Sequence, residues 1–169
     1  MKAINWITLS LAMSFAAQAD WKQWRGPTGQ GHADAKLPTK WSETENVTWR
    51  TPIPGKGWSS PVISGNQIWL TSSEKKGASL HTLCFDKTTG QLLYNVEVLT
   101  PKDPGRRHPQ NGFASPTPVL DGSHAYVHFG PRGTACLNTA GEIVWKNTAF
   151  DYETFQGSAS SPNLHNDLL

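Results

Sequence analysis

The chain contains an internal repeat, and this repeat restricts the folds open to it. Residues 61–72 (PVISGNQIWLTS) align without a gap on residues 118–129 (PVLDGSHAYVHF). Each copy has the pattern of a short strand, a two-residue turn and a second strand rich in aromatic and β-branched residues. The shared residues are a proline (Pro61, Pro118), a valine (Val62, Val119) and a glycine (Gly65, Gly122). We predict two β-hairpins, with turns at Ser64-Gly65 and Asp121-Gly122.

A second hairpin follows in each copy. Residues 84–90 (CFDKTTG) match residues 136–141 (CLNTAG) apart from one deleted residue. Each segment offers a residue suited to an Asx-type turn, a glycine suited to positive φ and, four positions later, a large aromatic residue. These are Asp86, Gly90 and Tyr94 in the first copy and Asn138, Gly141 and Trp145 in the second. We expect the aromatic side chain to point from the fourth strand toward the neighbouring unit, so that each repeat has four strands.

The spacing of the repeats predicts the blades of a β-propeller. Pro61, Pro118 and Pro162 are 57 and 44 residues apart, which suits repeated four-stranded blades. Continuous apolar runs at 68–70 and 125–127 are typical of sheets that are buried on both faces. We therefore predict an all-β fold, a β-propeller of four-stranded antiparallel blades. The predicted segments are a first blade at 59–98, a second blade at 115–149 and the start of a third blade at 160–169.

An additional fourth-strand position precedes the first complete repeat. Trp49 precedes one Ser-Ser-Pro motif, just as Trp145 precedes another. Trp145 follows three predicted strands of its own repeat, whereas no such strands are predicted before Trp49. Residues 47–51 are therefore predicted to be the closing strand of a ring, after a flexible leader at 20–46. We expect the matching strands and the remaining blades to lie beyond Leu169, so that this chain on its own would be poorly soluble or partly disordered.

The first nineteen residues have the features of a secretory signal peptide. Lys2 precedes an apolar stretch from Ile4 to Phe15, and Ala17-Gln18-Ala19 provides small residues for cleavage. The stretch is too short for a transmembrane helix, and no cysteine follows it for lipid attachment. We predict that residues 1–19 are removed. The expected product is an exported, soluble protein of the periplasm or extracellular space, with no transmembrane span and no lipid anchor.

The charge of the chain does not favour nucleic acid as a partner. The sequence has 15 basic and 13 acidic residues, which gives a formal charge of +2. The charges are interspersed, and the pairs Lys75-Lys76 and Arg106-Arg107 are too small for a phosphate-binding surface. The sequence also lacks the spacing of a Ser-His-Asp set, a glycine-rich phosphate loop or a carboxylate pair. We expect no nucleic-acid partner and assign no catalytic or metal-binding residue.

Several motifs in order carry a resemblance to a known group of proteins. They are residues 24–29 (WRGPTG), 46–50 (NVTWR) and 57–62 (GWSSPV), together with the turn from Asp86 to Tyr94. The mature chain resembles exported proteins with pyrroloquinoline-quinone-like (PQQ-like) propeller repeats, a superfamily of BamB-like scaffolds and quinoprotein dehydrogenases. The resemblance implies a closed ring of about six to eight blades, in which an N-terminal strand completes the last blade.

The resemblance leaves two functions open. Quinone-dependent dehydrogenases hold PQQ with a Ca²⁺ cluster, a catalytic Asp and often two adjacent cysteines. Adjacent cysteines are absent from this sequence, so PQQ is expected only if later blades supply its site. The alternative, which we favour, is a non-catalytic scaffold or binding module similar to the propeller of the outer-membrane assembly factor BamB. Its loops would hold a protein, a peptide or a small ligand.

The two cysteines occupy equivalent places in successive repeats. Sheets that pack about 10 Å apart would make a disulfide between Cys84 and Cys136 difficult. We predict that both are small buried thiols that fill space between blades.

One loop contains the candidate ligand-binding residues. The segment 100–114 lies immediately before the first strand of a predicted blade, at a position expected to face the central funnel. Its polar residues are Arg106, Arg107, His108 and Asn111, which suit an anionic or carbohydrate ligand. The alternative is a solvated insertion that its prolines stiffen.

Overall fold

Two four-stranded antiparallel sheets form the core of the computed structural model, which describes residues 20–150, 152–166 and 168–169. The first sheet contains β1 (Val62–Ser64), β2 (Gln67–Glu74), β3 (Ser79–Asp86) and β4 (Leu92–Leu99). The second contains β5 (Val119–Leu120), β6 (His124–His128), β7 (Thr134–Asn138) and β8 (Ile143–Asn147). Each sheet is a meander in chain order, and short 3₁₀ turns at Lys75–Gly77 and Gly130–Arg132 join its second and third strands. The predicted all-β fold of four-stranded propeller blades is confirmed. The predicted signal peptide at 1–19 lies outside the described residues.

Helical structure is scarce in this fold. Within the described part of the chain, no helix has the length and apolar character needed to cross a bilayer.

The first hairpin turn of each sheet is displaced by one residue from its predicted place. Ser64 pairs with Gln67, so the turn residues are Gly65 and Asn66. In the second sheet, Leu120 pairs with Ala125 and the Asp121 N–H donates to the His124 carbonyl, so the turn is Gly122-Ser123. The predictions of Ser64-Gly65 and Asp121-Gly122 were therefore wrong by one position. The reason is that a type II′ turn needs positive φ at its first central residue, and the two glycines there have φ of +56° and +109°.

The second hairpin of each sheet closes through an Asx-type turn. The Asp86 carboxylate accepts the backbone N–H groups of Thr88 at 2.9 Å and Thr89 at 2.7 Å. The Asn138 side-chain oxygen accepts the N–H groups of Ala140 at 3.0 Å and Glu142 at 2.9 Å. The glycines that end the two turns, Gly90 and Gly141, have φ of +72° and +80°. These local bonds fix where the fourth strand of each sheet begins.

The two sheets pack face to face through two buried clusters that each draw residues from both. In the larger cluster, Leu80 and Val98 of the first sheet pack with Val127 and Leu137 of the second. In the other, Trp69 of the first sheet packs with residues of β5 and β6. The sheets are therefore neighbouring blades of one structure.

In each sheet, an aromatic side chain from outside the sheet covers the glycine of the second hairpin turn. A Cβ atom on Gly141 would lie 2.8 Å from Cγ of Tyr94, so the Tyr94 ring covers this turn. Trp49 covers Gly90 in the same manner, and its indole N–H donates to the Lys87 carbonyl at 2.9 Å. Trp49 therefore stands to the first sheet as Tyr94 stands to the second. Residues 47–51 form no strand ladder within the described structure, so their role as a closing strand stays a prediction.

The start of the predicted leader is bound to both sheets. Trp21 forms a two-bond antiparallel bridge with Ile63, and the Leu120 N–H donates to the Lys22 carbonyl at 2.8 Å. The Asp20 carboxylate accepts the N–H of Gly65 at 2.9 Å. These contacts join the first strands of the two blades. The sequence had predicted a flexible leader here and gave no indication of them.

A chain of hydroxyl contacts links the residue before the proline in all three repeats. The Ser60 N–H donates to Oγ1 of Thr117 at 3.0 Å, and the Thr117 N–H donates to Oγ of Ser161 at 3.0 Å. Asn166, which aligns with Gly65, has φ of +52° and lies inside a bridge between His165 and Leu168. Ser161 therefore contacts the second blade as Thr117 contacts the first, and the start of a third blade at 160–169 stays a prediction.

Asp121 makes the stability of the second blade depend on pH. Partial burial disfavours its charged form, but the N–H groups of Ser123 and His124 and the Tyr126 hydroxyl outweigh burial and hold the pKa of Asp121 well below its usual range. Ionised Asp121 therefore stabilises the fold at pH above about 4, and this contribution is lost as pH falls toward the folded pKa. We expect the free energy of unfolding of Asp121→Asn to fall less than that of the parent between about pH 5 and pH 2. Urea denaturation at a series of pH values measures both.

Asp34→Asn is the matched control, because Asp34 is exposed and makes no hydrogen bond within the described structure. Its pH profile should follow that of the parent. Parallel profiles for Asp121→Asn and the parent would contradict the assignment.

Candidate functional site

The connections at one end of the sheets form a continuous surface, which we call the rim. In an antiparallel meander, the β1–β2 and β3–β4 turns lie at one end, and the links from β2 to β3 and from β4 to the next sheet lie at the other. The rim therefore comprises residues 100–114, the 3₁₀ turns Lys75–Gly77 and Gly130–Arg132, and residues 152–158, which follow β8. All four candidate residues predicted from sequence lie on it.

Arg107 holds the shape of its own loop. Its Nη1 donates to the carbonyls of His108 at 3.1 Å, Pro109 at 3.2 Å and Asn111 at 2.7 Å. The guanidinium also lies 4.9 Å from the centroid of the Phe113 ring, within the range of a cation–π contact. Arg107 therefore orders the backbone of the loop.

His108 and Asn111 fasten this loop to the segment after β8. The His108 N–H and the Asn111 side-chain amide both donate to the Gln156 carbonyl, at 3.1 and 2.8 Å. The Asn111 side-chain oxygen accepts the Ser115 hydroxyl at 2.6 Å, and His108 Nδ1 accepts the Gln110 N–H at 3.2 Å. Loop 100–114 and the segment after β8 are thus joined by hydrogen bonds.

Arg106 lies apart from the other three, in a polar cavity of about 400 Å³ that we call the rim cavity. Four charged residues line it: Asp103, Arg106, Arg132 and Glu153. Among the described residues, no ion pair links any two of them. The remaining lining residues are Gly105, Tyr152, Thr154 and Phe155. Sequence reasoning missed Arg132 and Glu153, because only the fold brings them to Arg106.

A larger apolar groove of about 1070 Å³ runs along the outer face of the first sheet. Ile68 pairs with Phe85 across β2 and β3, on the face opposite to Trp69, which packs on the second sheet. Trp58, 68 % exposed, and Ile53, 46 % exposed, border the groove. This is the face on which a preceding blade would pack in the predicted ring.

A serine, a histidine and an asparagine meet on β3 and β4, but their geometry does not suit nucleophilic chemistry. His81 contacts the Ser79 hydroxyl at 2.7 Å through Nε2 and the Asn95 side-chain oxygen at 2.8 Å through Nδ1. Ser79 is only 2 % exposed, and its hydroxyl donates to Glu97. The Ser79 proton is thus committed to a carboxylate, and substrate cannot reach its oxygen. The cluster joins two strands.

The cysteines are buried and free, at equivalent register positions. Cys84 lies between Trp69 and Tyr94, and Cys136 lies between Tyr126 and Trp145. Burial, with a smaller effect of the nearby Asp86, raises the pKa of Cys84 to about 12. Such a thiol stays protonated and unreactive at neutral pH.

The described residues give no support for the calcium–quinone site that the dehydrogenase alternative requires. Within 20–150, 152–166 and 168–169, no group of three or more His, Cys, Asp or Glu side chains is placed to hold a metal ion. The two cysteines also lie on different sheets. The oxidoreductase alternative therefore stays a hypothesis, and no contact in the described blades supports it.

Of three comparisons with known proteins, only the one with solved structures gives a match. No protein-family model matches the chain, and no curated protein matches it. Among solved structures, the chain is similar to BamB from Moraxella catarrhalis, with 16 % identity and a TM-score of 0.43. The match covers 59 % of this chain and 26 % of that structure, so the chain spans about a quarter of its length. The assignment of propeller blades rests on the two sheets and their packing, described above.

Proposed function

We propose that the chain is part of an exported β-propeller that binds a protein or peptide partner through its rim and catalyses no reaction. Propeller blades form a stable frame, and the loops at one end of such a frame are where binding residues gather. The predicted export and the predicted remaining blades belong to this proposal.

The main support for this proposal is the hydrogen-bonded junction at Gln156. Loop 100–114 and the segment after β8 belong to different connections, yet both His108 and Asn111 donate to the same carbonyl. Arg107 then fixes the loop between them through three backbone acceptors. A solvated insertion needs no such internal bonding, whereas a loop ordered before binding loses less entropy when a partner docks.

Site-specific photo-crosslinking tests the proposal. A benzophenone amino acid at Gln110 would lie on the rim, and the same residue at Thr139 would lie in an exposed turn at the opposite end of the second blade. In the cell of origin, we expect Gln110 to yield one or a few discrete adducts, identified by mass spectrometry, and Thr139 to yield none of them. Identical adducts from both positions, or none from Gln110, would count against a binding rim.

A further inference from the structure

The rim cavity combines opposite charges in a way that neither the repeat nor the blade packing requires. Three separate parts of the chain form it: the loop before the second blade, the turn between β6 and β7, and the segment after β8. Its volume of about 400 Å³ lies within the range of about 300–1,000 Å³ that small-ligand sites occupy. Of the four predicted candidates, Arg106 is the one that makes no hydrogen bond within the described residues, and at this cavity it meets other charged groups.

The position of one cation is fixed by the backbone. Arg132 Nε donates to the Pro104 carbonyl at 3.1 Å, and the guanidinium lies against Gly105 where any Cβ atom would collide with it. Its terminal nitrogens make no hydrogen bond to the described residues. Arg106 makes no hydrogen bond to them either, so both arginines keep donors for a ligand.

The two acidic residues limit what that ligand can be. The Asp103 carboxylate uses one oxygen to accept the Gly105 N–H at 2.8 Å, and Glu153 accepts no hydrogen bond among the described residues. Two carboxylates beside two guanidiniums leave the lining with no net charge. Because the carboxylates offset the guanidiniums, this lining attracts a dianion such as phosphate less than two arginines alone would, and it suits a single negative charge with hydrogen-bond donors next to it.

We propose that the rim cavity binds a carboxylate group of a peptide. Arg106 and Arg132 would donate to its two oxygens, since the guanidinium fork matches a planar carboxylate. Asp103 and Glu153 would accept the peptide N–H groups that flank it. The inference rests on the proposed function, because it takes the partner to be a peptide or protein, and it adds the chemical group that is recognised.

Isothermal titration of the protein with short synthetic peptides tests the inference. The probes are acetyl-trialanine with a free C-terminus, its C-terminal amide, and acetyl-Ala-Glu-Ala-amide, whose only carboxylate is on a side chain. We expect one carboxylate peptide to bind at least about tenfold more tightly than the amide, as loss of a charge-assisted pair implies. The tighter of the two identifies whether a chain terminus or an acidic side chain is recognised.

Two variants that each remove one positive charge distinguish binding in the rim cavity from general electrostatic attraction to the loop. Arg106→Gln should weaken the better peptide by about tenfold or more. Lys102→Gln, which removes a charge from the same loop outside the cavity, should not. Equal binding of acid and amide, or equal effects of the two variants, would overturn the inference. Tighter binding of inorganic phosphate or of a galacturonic acid dimer would overturn it as well. If the Gln110 adducts persist while the peptide test fails, only this inference falls and the binding rim stands.

Discussion

Replacing Leu137 by alanine is expected to lower the free energy of unfolding by about 3 kcal/mol. Leu137 is 0 % exposed and lies on β7 in the larger cluster between the two sheets, where it packs with residues such as Leu80 and Val98. The substitution removes buried methyl groups and leaves a cavity that two sheets in fixed contact cannot close. Urea denaturation followed by circular dichroism measures the change.

Val144→Ala is the matched control in the same sheet. Val144 lies on β8 and is 54 % exposed, so its truncation should change the free energy of unfolding by less than about 1 kcal/mol. Similar losses for Leu137→Ala and Val144→Ala would show that the face of the second sheet carrying Leu137 is not buried against the first.

Replacing Gly141 by alanine is expected to cost about 3 kcal/mol, for two reasons. Its φ of +80° is unfavourable for any residue with a Cβ atom, by about 1–2 kcal/mol. The new methyl group would also lie 2.8 Å from the Tyr94 ring of the other blade, so the ring or the turn must move. Thermal and urea unfolding of the variant measure the combined effect.

Gly65→Ala separates the two contributions. Gly65 has φ of +56°, and a Cβ atom there would meet nothing within 4 Å, so this variant carries the backbone cost alone. In a Tyr94→Ala background, the cost of Gly141→Ala should fall to that of Gly65→Ala. A cost for Gly141→Ala that is no larger than that for Gly65→Ala, with Tyr94 present, would mean that the ring does not cover the turn.

The blades could be predicted from sequence because their determinants are local. The glycine and Asx-turn residues lie within a few positions of the backbone groups that they organise, and Asp86 and Asn138 cap their own turns. The apolar runs around Trp69 and Tyr126 likewise belong to single strands, β2 and β6, and can be read within a few residues. The prediction at Gly65 was wrong by one residue because a glycine can occupy either the first or the second central position of a hairpin turn. Only the register of the two strands decides which position the glycine takes.

The sequence pointed to loop 100–114, but the contacts that form the rim could not be predicted, because they join distant residues through backbone atoms. Arg132 reaches the Pro104 carbonyl across 28 positions, and Asn111 reaches the Gln156 carbonyl across 45. Every residue has a carbonyl, so no residue type marks the acceptor. For the same reason, the sequence offered Arg107 as a ligand-binding residue, whereas the structure shows its guanidinium bound to three carbonyls of its own loop.

Nuclear Overhauser contacts between the Tyr94 ring protons and the Gly141 Hα protons test most directly whether two like sheets pack as successive blades. A strong contact is expected, since the Tyr94 ring lies directly over Gly141. Contacts between Tyr94 and Cys84, which pair within the first sheet, serve as the internal reference. Reference contacts without any contact from Tyr94 to Gly141 would mean that the sheets form separately and do not stack, which contradicts the account.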